Sequence, residues 1–71
     1  MNEIDFYSYS LFVQDERGYH KNWKYIIFKA KYGRWTKTKE REGVTPKAPT
    51  QEYLDWLDDF LHTWSRLATS V

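Results

Sequence analysis

Three stretches of this chain space their apolar residues regularly, and one stretch does not. The clearest is the last. From Thr50 onward Tyr53, Leu57, Phe60, Trp64 and Leu67 recur at helical spacing, and Leu54, Leu61 and Ala68 widen the stripe. Thr50, following Pro49, offers a capping oxygen, and Glu52 falls in the first turn, where the positive pole of a helix favours it. A helix over about 50–68 is predicted, with Asp55, Asp58 and Asp59 making its polar face acidic at the start.

The middle stretch places Trp23, Ile26, Ile27 and Ala30 at i, i+3, i+4 and i+7, with Lys24, Lys29 and Lys31 elsewhere around the wheel. As a strand it would put Lys29 and Lys31 on the face of Trp23, Tyr25 and Ile27, which breaks the apolar row. A helix over about 22–32 is therefore predicted, capped by the Asn22 side chain and ended by Gly33.

The first stretch, about 3–17, reads both ways. As a helix it has Asn2 as cap, Glu3 and Asp5 in the first turn and Gly18 as a left-handed stop. Ile4, Tyr7 and Leu11 then share a face, with Phe6, Tyr9 and Val13 beside them. As a strand it alternates Tyr7, Tyr9, Leu11 and Val13 with Ser8, Ser10 and Phe12. Residues 34–49 have no apolar period; two prolines, Gly43 and many polar side chains predict an exposed basic loop that only Trp35 could pin. The expected architecture is all-α, a compact three-helix domain with this loop between the second and third helices. A β-hairpin packed on the last helix is the alternative.

Composition says how such a chain could hold together. At 71 residues it is one small domain, and 20% of it is aromatic. Rings that each bury roughly 150–250 Å² are the means by which so short a chain can build a core. There is no cysteine, which excludes disulfides and thiolate metal sites. No apolar run approaches the ~18–20 residues of a membrane span, and no signal-peptide pattern opens the chain, so a soluble cytoplasmic protein is expected.

Net charge is only +1, but it conceals a segregation. Residues 17–41 hold nine basic side chains against one acid, Glu40, while the rest of the chain holds Lys47 and Arg66 against nine acids. Lysine and arginine neutralise phosphates, and aromatic rings stack on unpaired bases, so this interleaving is the best candidate for a binding surface. The candidates are Lys21, Lys24, Lys29, Lys31, Arg34, Trp35, Lys37, Lys39 and Arg41. The plain alternative is that the lysines solvate a helix face and the loop is polar linker. A rival surface, for a protein partner, is Asp55, Trp56, Asp58 and Asp59 on the last helix.

No chemistry of catalysis is visible. His62 follows Asp58 by four residues and Asp59 by three, a spacing that suits a surface ion pair better than a metal site. His20 has no evident partner, the serines sit in no nucleophile motif, and no phosphate-binding loop of the GxxxxGK[ST] type occurs. A non-enzymatic chain with no cofactor, no metal and no small-molecule substrate is expected.

The order Phe6-Tyr7, Glu16-Arg17-Gly18-Tyr19, Lys21-Asn22-Trp23, Phe28-Lys29 and Lys31-Tyr32-Gly33-Arg34-Trp35, with a restart at Pro49, Thr50, Glu52, Leu54 and Trp56, adds a further indication. It resembles a small C-terminal module of bacterial and phage superfamily II DNA helicases, which reads approximately ERGYKPGWAxHKFKEKFGxWP. The resemblance covers most of the chain and rests on aromatics and glycines. It implies a helical first segment and an accessory role with DNA or a DNA-processing protein, without the helicase motor. Asn22 stands where that pattern tends to glycine, and Thr36 where it tends to proline. Asp58-Asp59 stand where its last helix tends to be basic, which counts against a nucleic-acid role for that helix.

Overall fold

In the computed structural model, which describes residues 1–69 and side chains as far as Thr63, every regular element is a helix: α1 (Glu3–Arg17), α2 (Trp23–Tyr32), α3 (Thr38–Arg41) and α4 (Gln51–Thr69). The first segment takes the helical option and not the strand. No helix among the described residues is long and apolar enough to cross a membrane.

The ends of α1 follow from side chains next to it. Asn2 Oδ1 accepts the Asp5 N–H at 2.8 Å, satisfying one of the free donors of the first turn. Gly18 adopts φ +68°, a left-handed conformation that turns the chain so that Tyr19 N–H reaches the Gln14 carbonyl at 3.0 Å. The connection to α2 is thus only 18–22, and α2 returns alongside α1.

α1 is the hub of the fold. Phe6, Tyr7, Ser8, Ser10 and Val13 are buried along it. The covering over Ser8 is the segment after α3: Lys47 N–H donates to the Ser8 carbonyl at 3.2 Å, and Lys47 Nζ lies 3.7 Å from Asp5. Ile4, expected on the core face, is 58% exposed because that face centres on Phe6 and Ser10.

Phe6 is fully buried and meets four rings: Phe28 and Tyr32 of α2, and Tyr53 and Trp56 of α4, with centroids 5.1–6.2 Å apart. These are tilted or edge-on arrangements, the ones that ring quadrupoles favour. Ile27, Phe28, Tyr53 and Leu57 complete the buried set, with Leu54, Phe60 and Leu61 partly covered against it. The continuation of the α4 stripe through Trp64, Leu67 and Ala68 lies outside the described side chains.

Beside the rings runs one buried polar path. Ser10 Oγ donates to the Phe6 carbonyl at 2.8 Å, so its single proton is committed and the Tyr53 hydroxyl, 2.9 Å away, donates to it.

Two expectations change on α2. Its buried face is Ile27 and Phe28, flanked by half-buried Trp23 and Tyr32, whereas Ile26 is 57% exposed and Ala30 is exposed. The helix is rotated to bury the larger Phe28 and Tyr32 surfaces, and the half-buried Lys24 and Lys31 keep their charges 5.0 and 5.9 Å from the Tyr25 and Tyr32 ring centroids. Nor does the Asn22 side chain cap the helix; Gln14 Oε1, reaching across from α1, accepts the Lys24 N–H at 2.9 Å.

The basic loop is more structured than its composition predicts. Residues 38–41 form α3, started by the Glu40 carboxylate accepting the Lys37 N–H at 2.8 Å. The loop is held by Arg34, Val44 and Lys47, while Trp35 stands 58% exposed.

Candidate functional site

Gly33 ends α2 with φ +74° and its N–H on the Lys29 carbonyl at 2.8 Å, which aims the next two residues in different directions. Arg34 turns inward. Its Nη1 and Nη2 donate to the two Glu40 oxygens at 3.0 and 2.8 Å, and Nη2 also donates to Glu3. The guanidinium therefore ties the end of α2 to the start of α1 and to α3, with its carbon 5.3 Å from the Phe28 ring. Hydrogen bonding to Arg34 lowers the Glu40 carboxyl to about 2, and the same bond raises the Arg34 guanidinium further above its ordinary range.

Trp35 turns outward. With Asn22, Tyr25, Ile26, Thr36 and Arg41 it lines an open cleft of about 370 Å³. Lys29 Nζ lies 5.5 Å from the Trp35 ring centroid and donates to the Gly33 carbonyl at 3.2 Å, which sets a positive charge against this ring.

On the inner wall the Arg41 guanidinium carbon is 5.1 Å from the Tyr25 ring, which stacks in turn on Tyr7. Burial raises the Tyr25 phenol, but the adjacent Arg41 and Lys24 cations more than reverse this and leave it below its ordinary value. Arg41 Nη2 donates to Thr38 at 3.1 Å, and its Nε is buried with no partner, so this arginine has unused hydrogen-bonding capacity. The Asn22 side chain makes no capping hydrogen bond at the start of α2.

A second hollow, of about 540 Å³, lies on the other side of Ile26 and is lined by Tyr19, His20, Asn22, Trp23, Ile26 and Leu61. Tyr19 and Trp23 pack at 4.9 Å, and His20 Nδ1 accepts the Asn22 N–H at 3.1 Å, so His20 does have a partner, one that fixes the turn into α2.

The residues predicted from sequence thus divide. Trp35 and Arg41 line the cleft, Lys29 lies against the Trp35 ring, and Lys21 and Lys37 are exposed and adjoin lining residues in the chain. Lys39 is exposed on α3. Lys24 Nζ lies 5.0 Å from the Tyr25 ring. Lys31 is turned the other way, 5.1 Å from the Trp56 ring, and Arg34 is committed to Glu3 and Glu40. Tyr25, Ile26, Thr36 and the Tyr19–Trp23 pair line the hollows without having been expected there: the apolar stripe assigns Trp23 and Ile26 to the core, and the other three carry no charge to mark them.

Of the rival surface, Asp58 and Asp59 are exposed and Asp55 accepts from Gln51 at 2.8 Å. Trp56 is half-buried between Phe6, edge-on at 5.3 Å, and Phe60, stacked at 5.3 Å, so it belongs to the core margin. Asp55 and Asp58 share a separate cleft of about 330 Å³ with Arg17, Gln51, Leu54 and Leu61. No three His, Cys, Asp or Glu among the described residues converge as metal ligands. Comparison with protein families, curated proteins and solved structures finds no match to this chain.

Proposed function

We propose that this chain is a non-enzymatic accessory module that associates with nucleic acid, or with a protein engaged on it, through the surface formed by α2, the turn after it and α3. One observation carries the reading. Of the nine basic residues in 17–41, only Arg34 forms an ion pair among the described residues. Of the others, Arg41 lines an open aromatic cleft, Lys29 lies beside its Trp35, and Lys21 and Lys37 adjoin its lining residues in the chain, an arrangement suited to phosphates beside rings. The association with a DNA-processing protein draws on the helicase-module resemblance, and the cytoplasm is the compartment this reading assigns.

The test is a fluorescence-anisotropy titration of labelled DNA across a series of salt concentrations. Binding is expected at low salt, with log K falling linearly against log salt, and each phosphate contact removed should flatten a duplex slope by about 0.9. Lys29→Glu, Lys37→Glu and Lys39→Glu should weaken binding and reduce the slope while leaving the helical circular dichroism intact. Arg34 is left out of that set because its charge is structural. Absence of binding to any nucleic acid at low salt overturns the proposal.

The exposed carboxylates of α4 favour the second reading, a protein-interaction module. Capture of a partner that survives nuclease treatment and is lost on Asp58→Lys and Asp59→Lys would select it.

A further inference from the structure

The two hollows beside α2 share a wall. Asn22 and Ile26 belong to both, so the cleft of Tyr25, Trp35, Thr36 and Arg41 continues past Ile26 into the groove of Tyr19, His20, Trp23 and Leu61. Each hollow falls within the roughly 300–1,000 Å³ typical of small-molecule sites. Neither is lined by an acid.

Ile26 and Trp35 are more than half exposed, although the fold could have turned Ile26 inward and did not. Cations bracket this apolar strip: Arg41 inside the cleft, Lys29 above Trp35, and Lys21 and Lys37 beside lining residues.

Three occupants can be compared on chemistry. An apolar segment of a protein would fill the groove but would leave the cations unanswered. A duplex would answer the cations but keeps its bases stacked inside, out of reach of Trp35. An unpaired strand supplies both flat rings and regularly spaced phosphates.

We infer that the double hollow is a single-strand site. This rests on the nucleic-acid reading above and narrows it. One unpaired base stacks on Trp35 in the cleft, and a neighbouring base enters the Tyr19–Trp23 groove across Ile26. The Asn22 amide, between the two, hydrogen-bonds a base edge, and the connecting phosphates meet the Lys and Arg side chains of the rim. Stacking and an amide contact do not depend on the sugar, so DNA and RNA strands share this chemistry.

The test uses the full chain with three labelled probes matched in phosphate number: an oligothymidylate, an oligouridylate and a hairpin duplex. At equal low salt the single strands should bind at least about tenfold more tightly than the duplex and quench tryptophan fluorescence. Trp35→Ala should weaken single-strand binding by about 5- to 150-fold, the equivalent of one lost stack, and leave duplex binding and the salt slope unchanged. Trp35 lies outside the core, so this variant keeps its fold, and Trp35→Phe should recover most of the affinity. Thymidylate and uridylate binding equally supports the shared site, and a preference for one names its natural strand.

Equal binding of strand and duplex, with Trp35→Ala without effect, overturns the inference and leaves the nucleic-acid reading standing. No salt-dependent binding of any probe overturns both.

Discussion

Arg34 and Glu40 meet as two parallel bonds, Nη1 to Oε1 at 3.0 Å and Nη2 to Oε2 at 2.8 Å, in the fork-to-fork geometry that only arginine supplies to a carboxylate. Glu40 also receives the Lys37 N–H, so one carboxylate starts α3 and anchors it to the end of α2.

Loss of this pair should be visible in the pH dependence of stability. The Glu40 carboxyl is held at about 2, below its ordinary 4.5, first by the Arg34 hydrogen bonds. A depressed folded-state value means that the stabilisation is fully present above about 4.5 and is lost as pH falls through about 2. Thermal melts should therefore show Glu40→Gln less stable than the parent near neutrality, with the gap closing as pH falls across that interval. Arg34→Lys keeps the charge but not the fork and should also lower the melting temperature. A gap that stays constant in acid would refute the assignment.

The hydroxyl chain from Tyr53 through Ser10 to the Phe6 carbonyl predicts an asymmetry. Tyr53→Phe removes a donor and leaves Ser10 satisfied by its bond to Phe6, a loss of about 1 kcal/mol. Ser10→Ala strands the Tyr53 hydroxyl in a site that is 0% exposed and should cost more, about 1–3 kcal/mol. Tyr32 offers the opposite case: its hydroxyl is already buried without a partner, so Tyr32→Phe should be neutral or stabilising. Urea denaturation of the three variants orders them.

Phe6 is where a single truncation should be most damaging. Phe6→Ala removes a fully buried ring that touches both α2 and α4, at a cost of about 3–5 kcal/mol. That is comparable to the whole stability of a core this size. The expected result is loss of the cooperative thermal transition, with Phe6→Leu retaining a weakened one.

In alkali three phenols, Tyr7, Tyr32 and Tyr53, should lag behind the rest. Burial pushes Tyr7 up to about 12, helped by the neighbouring Tyr25, and burial is likewise the main cause that pushes Tyr53 up to about 12, against the opposing pull of Ser10 and Arg17. Raised values mean that stability is complete below the ordinary 10 and is lost as pH rises through about 12. Tyrosinate absorbance should rise in an early step and a late one, and the late step should coincide with loss of helical circular dichroism. Tyr53→Phe should shrink the late step.

Much of this fold was legible in the sequence. Asn2 and Gly18 bound α1, Gly33 ends α2, and the α4 stripe from Tyr53 to Phe60 faces the core, because caps and periodicity act within a few residues. The face of α2 was not legible. Spacing alone favoured Ile26 and Ala30, and the outcome turned on which rings α1 presents to it. The short α3 escaped notice because it has no apolar period and is held by Arg34, whose other partner, Glu3, lies 31 residues away in the chain. For the same reason the basic residues read as one set, although the fold sends Arg34 and Lys31 away from the cleft and brings Asn22 and Tyr25 to it.

The Ser10–Tyr53 bond has a consequence beyond its strength. Flat rings slide over one another at small cost, so an interface made of Phe6, Tyr9, Tyr53 and Trp56 alone would admit several nearly equal packings. The Tyr53–Ser10 bond crosses from α4 to α1 and is directional, with the Ser10 proton already held by Phe6, so it favours one offset of α4 against α1 over its neighbours. What it confers is uniqueness: the rings make the helices adhere, and the serine decides where.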